Sequence, residues 1–154
     1  MQRRRRAREV ALQVLYGLDV TDRGVDEAVR LFWGMFDSSA EPVEPGLVFS
    51  DKVKSFAVHL VQGTWEHRQE IDALISHSSE HWSLGRMSRV DRCILRMAIY
   101  ELLYCADIPP KVSLNEAIDL GKTYGSENSG SFINGILDAL YADFDKGDGL
   151  EPPP

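Results

Sequence analysis

The run Ser88-Arg89-Val90-Asp91-Arg92-Cys93-Ile94-Leu95-Arg96-Met97-Ala98-Ile99-Tyr100-Glu101-Leu102-Leu103-Tyr104-Cys105 is the most apolar long segment of the chain, and its periodicity decides the fold. Ser88 followed three residues later by Asp91 has the spacing of a capping box, in which a hydroxyl and a carboxylate each take a backbone N–H that the first helical turn leaves unpaired. Beyond Asp91 the apolar positions Ile94, Leu95, Met97, Ala98, Ile99, Leu102 and Leu103 go most of the way round a helical cylinder. A helix apolar on nearly all sides must be surrounded by other elements. The run is too short and too charged to cross a bilayer, which takes about 20 mostly apolar residues. Pro109-Pro110 limits its extension, so it is expected to be a central core helix.

On either side of that run the spacing stays helical. Ala7, Val10, Ala11, Val14, Leu15 and Leu18 fall on one face at i, i+3, i+4 intervals. At 100° per residue Tyr16 points away from that face, into a sector shared with Arg5, Arg8, Glu9 and Leu12. A second helix is expected over about 25–36, followed by a breaker-rich loop at 37–46. A third carries Val53, Phe56, Ala57, Leu60 and Val61 and should end near Gly63; a fourth, over about 64–76, buries Ile71, Leu74 and Ile75. Ser113 and Glu116 have the spacing of another capping box, Gly125 is a natural left-handed terminator, and a last helix from Asn128 or Ser129 buries Phe132 or Ile133, Ile136, Leu137 and Leu140. Small residues at Gly121 and Gly135 suggest close helix crossings. No stretch alternates long enough to make a strand, so the expectation is an all-α fold of about seven helices in small packed bundles. Residues 1–144 read as one domain and 145–154, rich in Gly, Asp and Pro, as a disordered tail.

Charge is the informative part of the composition. The 154 residues carry a net charge of −7, yet Arg3, Arg4, Arg5, Arg6 and Arg8 crowd the first eight positions without an acid. Of 17 lysines and arginines that leaves 12 to set against 24 acidic residues. An acidic body repels nucleic acid, so any RNA or DNA contact must be organised around the basic end. Cys93 and Cys105, twelve residues apart on one helix, would lie about 18 Å apart and cannot bridge. With no apolar signal-peptide core near the N-terminus, a cytoplasmic protein is expected.

The chain lacks the patterns of an active site. Gly121-Lys122-Thr123 has the end of a phosphate-binding loop, but Glu116 stands where that motif needs its first glycine. His77 and His81 are four apart and would share a helical face, but neither a third ligand nor a cysteine pair is near them. No catalysis, cofactor or metal is expected. Binding remains: a guanidinium can hold a phosphate bidentately or stack on an unpaired base. Positive charge at a helix start opposes the macrodipole by about 0.3–1 kcal/mol per charge, so five arginines there do not serve helix stability. Arg89, Arg92 and Arg96 form a weaker basic row on the central helix.

Three blocks together resemble the NusB transcription antitermination family. The first is Arg4-Arg5-Arg6-Ala7-Arg8-Glu9 leading through Gln13 to Leu15-Tyr16. The second is Val90-Asp91-Arg92 through Leu102. The third runs from Ile108-Pro109 through Asn115-Glu116-Ala117-Ile118 and Lys122-Thr123-Tyr124-Gly125 to Phe132-Ile133-Asn134-Gly135-Ile136-Leu137-Asp138. The resemblance implies an all-helical, non-catalytic protein that binds single-stranded boxA RNA of ribosomal RNA operons together with NusE, a small-subunit ribosomal protein, and so helps RNA polymerase read through terminators. By the same resemblance Arg4, Arg5, Arg6 and Arg8 match the RNA-contacting N-terminus, and Lys122, Asn128 and Phe132 match a second RNA-facing segment. Tyr16 and Asp91 match positions that face NusE. Two departures stand out: Asn128 replaces an Asp that many relatives carry, and Gly130-Ser131 replaces a pair that is often polar or basic, which implies one or two missing phosphate contacts. A methyltransferase bearing a related helical domain would need a downstream α/β domain and is not expected; an interaction module, as a homodimer covering its arginine face, is the other alternative.

Overall fold

In the computed structural model the described residues are 2–21, 24, 27, 28, 30, 51–78 and 87–145, with no strand among them. Six helices are delimited: α1 (Gln2–Val20), α2 (Asp51–Glu66), α3 (Arg68–Ser78), α4 (Arg89–Tyr104), α5 (Pro110–Tyr124) and α6 (Ser129–Asp145). Glu27, Ala28 and Arg30 are helical as well. The remainder of the helix expected over 25–36, the loop at 37–46, His81 and the tail from 146 lie outside the described residues. The all-α expectation holds, and the chain divides into two compact units, Met1–Trp65 and Glu66–Pro154.

In the first unit the anticipated face of α1 is the buried one, from Ala7 to Leu18. Ala7 and Val10 form a cluster with Val53 and Ala57 of α2, and Phe56 packs against it. α1 runs past Gly17 to Val20, where Thr21 donates to the Gly17 carbonyl from both its N–H and its hydroxyl, at 3.0 and 2.8 Å. α2 likewise continues through Gly63 to Glu66. A glycine inside a helix costs roughly 1 kcal/mol, too little to stop one whose buried face goes on through Thr64.

In the second unit α4 packs against α3, α5 and α6, while α6 also packs on α3 and α5. This is the surrounded helix that the periodicity demands: Cys93, Ile94, Leu95, Met97, Ala98, Ile99 and Tyr100 are all buried. Ser88 caps it by accepting from the Asp91 N–H at 3.1 Å. α3 is tied on by a two-pronged ion pair, Arg96 Nε and Nη2 donating to Asp72 Oδ1 and Oδ2 at 2.7 and 2.8 Å. Near the same junction the His67 ring stacks on Tyr104 at 4.3 Å, and the Tyr104 hydroxyl donates to Glu70 Oε2 at 3.1 Å. Burial pushes the Tyr100 phenol up to about 12, helped by Cys105, Glu66 and Tyr104.

Three local expectations need correction. α5 starts at Pro110, not at a Ser113 cap; a proline fits the first helical position because its missing N–H would be unpaired there anyway. Ser113 is instead buried and donates to Glu101 Oε1 at 3.0 Å. Gly125 ends α5 in extended backbone (φ −92°), not left-handed; it is glycine because a Cβ would meet the Ser129 hydroxyl, its Cβ at 2.6 Å and the Gly121 carbonyl oxygen at 2.7 Å. Gly121 does mark a close crossing, since a Cβ there would lie 2.7 Å from Ile133 Cδ1. Gly135 marks none: nothing lies within 4 Å of the Cβ it lacks.

Candidate nucleic-acid interface

The arginine block is helical from Gln2 onward, with no acid in the first turn of α1. Its members do not share one environment. Arg4 and Arg5 are exposed, Arg6 is half-buried, and Arg8 is only 2% exposed. Arg4 and Arg8, one turn apart, both place their guanidinium groups over the Phe56 ring, at 4.8 and 5.5 Å from its centroid. A cation over an aromatic face is held by the ring quadrupole, and more strongly where water is excluded. The helical-wheel reading that put Arg8 and Leu12 on the outer side is therefore corrected, since both are buried. A wheel gives the direction of a side chain on its own helix and nothing about what lies across from it. Phe56 read in the sequence only as part of the α2 core stripe, and nothing there marked it as the seat of two arginines.

Further along α1, Tyr16 is 42% and Val20 50% exposed, and Gln13 and Gly17 lie open on the same side. These four positions have i, i+3, i+4, i+7 spacing, so they form one continuous face. Nothing lies within 4 Å of the Cβ that Gly17 lacks. The face is exposed and partly apolar, which suits it to a protein partner.

In the second unit the α5–α6 turn brings Lys122, Asn128 and Phe132 together. Ser129 Oγ accepts from the Ser126 N–H at 2.8 Å, and the Ser129 N–H donates back to the Ser126 carbonyl at 3.1 Å. The Asn128 carbonyl accepts from the Phe132 N–H at 3.0 Å, opening α6. Lys122, Tyr124 and Asn128 are exposed and Phe132 is half-buried, so the turn presents a cation, an amide and aromatic surface. Asp91 stands apart at the start of α4. It is 7% exposed, and its Oδ1 makes no hydrogen bond. Of the basic row on α4, Arg96 is committed to Asp72 and Arg89 is exposed.

Among the described residues no group of three His, Cys, Asp or Glu could hold a metal ion, and no helix is long and apolar enough to cross a membrane. An arginine-bearing helix, an exposed tyrosine face and a polar inter-helix turn, all on a helical scaffold, define a small all-helical protein with exposed basic and aromatic groups. The NusB family model matches residues 5–142. The transcription antitermination protein NusB of Syntrophus aciditrophicus (strain SB) is 52% identical over 157 residues, covering 100% of this chain and 91% of its own length. Among solved structures, T. maritima NusB superposes with a TM-score of 0.76 at 35% identity, covering 97% of this chain and 93% of that one. A crystal structure of the antitermination factors NusB and NusE in complex with double-stranded RNA matches at TM-score 0.77 and 27% identity, over 92% of this chain and 98% of that one. The chain belongs to the NusB family.

Proposed function

We propose that this chain is a cytoplasmic transcription antitermination factor that binds single-stranded boxA RNA of ribosomal RNA operons together with NusE, and that the complex promotes read-through by RNA polymerase. The observation that carries this reading is the likeness, over nearly the whole chain, to a protein crystallised with both NusE and RNA. Residues 1–144 act as one binding domain without catalysis. Arg4, Arg5 and Arg6 supply charge to the phosphate backbone from the first turns of α1, with Arg8 behind them, and Lys122, Asn128 and Phe132 supply the second contact segment. Tyr16 offers NusE an exposed aromatic. Asp91 offers it a buried acceptor, and leaving such a group without a donor costs about 1–3 kcal/mol.

The test is binding of the full chain, with and without purified NusE, to a short single-stranded boxA RNA, a scrambled strand and a boxA duplex at two salt concentrations. Selective, salt-dependent binding to the single strand that strengthens with NusE is expected. Preference for the duplex would transfer the reading to double-stranded RNA, and equal weak binding to all three would remove sequence recognition. Tyr16→Asp should abolish the NusE-dependent gain at unchanged Tm; a loss of several kcal/mol of stability would place Tyr16 in the core instead.

A further inference from the structure

Gly130 lies inside α6, where nothing in its backbone conformation calls for glycine. Its environment does. A Cβ built on it would lie 3.0 Å from Lys122 Cγ and 3.4 Å from Lys122 Cε, with Ile118 Cγ2 next at an ordinary 3.8 Å. The aliphatic stem of Lys122 therefore lies flat across the first turn of α6, in the space where any other residue would carry its side chain. A free lysine has four rotatable bonds, and fixing them at the moment of binding costs conformational entropy; a stem already lying in a groove has given up part of that freedom in advance.

We propose that Gly130 is a positioning residue for RNA binding: by lacking a side chain it seats the Lys122 stem across α6 and so holds the ammonium where the α5–α6 turn meets a phosphodiester. This rests on the reading of that turn as an RNA-facing segment. Gly130 itself touches no RNA and acts through Lys122 alone. Gly130 is the second residue of α6, and alanine is at least as good a helix former there, so the glycine does not serve helix stability. The atoms a methyl group would displace belong to a flexible, exposed side chain that can swing away without disturbing the backbone.

The two consequences have opposite signs, which separates positioning from a merely structural role. Gly130→Ala should leave Tm unchanged or raise it while weakening binding. The experiment measures Tm, and the affinity of the full chain with NusE for single-stranded boxA RNA across a salt series, in Gly130→Ala, Lys122→Ala and the double variant. Lys122→Ala should lower affinity about fivefold and reduce the log–log salt slope by about 0.7, one phosphate contact on a single strand. Gly130→Ala should lose part of that affinity, and the double variant should bind like Lys122→Ala. Additive losses, an unaffected Gly130→Ala, or a fall in its Tm would each overturn the positioning role and leave the RNA reading of the turn standing. An unchanged salt slope in Lys122→Ala would remove the turn from the interface and overturn both.

Discussion

Arg8 tests how the arginine block divides its labour. Among the described residues of the first unit it is the one fully buried charged side chain, at 2% exposure, and its guanidinium lies 5.5 Å from the Phe56 centroid. Arg8→Ala removes two buried methylenes, at about 0.8 kcal/mol each. It also removes a cation–π contact worth about 2 kcal/mol when desolvated. The loss should total about 3.6 kcal/mol, or about 11 °C in Tm for a domain of this size. Arg8→Met keeps the stem and should lose only the electrostatic part, about 2 kcal/mol. Arg5 is exposed, and Arg5→Glu should leave Tm within about 1 °C while weakening RNA binding. The assay pairs thermal melting by circular dichroism with RNA titration of each folded variant at a temperature well below its Tm. If Arg8→Ala costs under about 1 kcal/mol yet abolishes RNA binding, the Phe56 seat is not holding Arg8, and the residue belongs on the RNA with Arg5. Charge reversal at both positions would confound the two effects, because a carboxylate at position 8 would be buried over an aromatic face.

The other expectations concern stability. Gly125→Ala would drive a methyl group into Ser129 and the Gly121 carbonyl and should cost about 2 kcal/mol, seen as a Tm lower by about 6 °C. Gly135→Ala faces open space in mid-helix and should raise Tm by about 2 °C; equal behaviour of the two variants would refute the packing argument. Ser113→Ala withdraws the donor from a buried Glu101 oxygen and should cost about 1–3 kcal/mol in a denaturant titration; a neutral result would mean that water replaces the hydroxyl. Stability should also fall as pH rises from 10 to about 12: the unfolded chain releases the Tyr100 proton near 10, whereas the folded chain holds it to about 12, so alkali favours unfolding through that window. An alkaline melting series should show this slope, and Tyr100→Phe should flatten it.

The parts of the fold that were legible in the sequence are those set by periodicity. The apolar positions of α1 and α4 name their own buried faces, because burying a face costs nothing only if every residue on it is apolar. What escaped are features created by two segments meeting. Ser113 and Glu116 have the spacing of a cap, but Pro110 lies upstream as a better helix start, and Glu101, twelve residues earlier in the chain, claims the hydroxyl. Gly63 reads as a stop only until the buried face on both sides of it is known. A terminator and a packing glycine are the same letter. At Gly125, Gly121 and Gly135 only the neighbouring atoms distinguish a collision with backbone, a collision with an isoleucine, and empty space.

The candidate site divides along the same line. Tyr16 is exposed as its angle on the helix suggests, but Arg8 and Leu12 share that sector and are buried, so angle alone does not decide exposure. Arg5 and Arg8 share a sector on that helix, yet one is exposed and the other is buried with its guanidinium over the Phe56 ring of α2. Composition counts both alike as positive charge; burial over a ring sets Arg8 apart from Arg5. Gly130 reverses the lesson. By composition it is a position with no contact to offer, and by geometry it is the space in which Lys122 lies. Basic charge in a sequence therefore overstates a phosphate-binding surface where a cation is buried over a ring. It understates one where a missing side chain directs a cation that stands eight residues away.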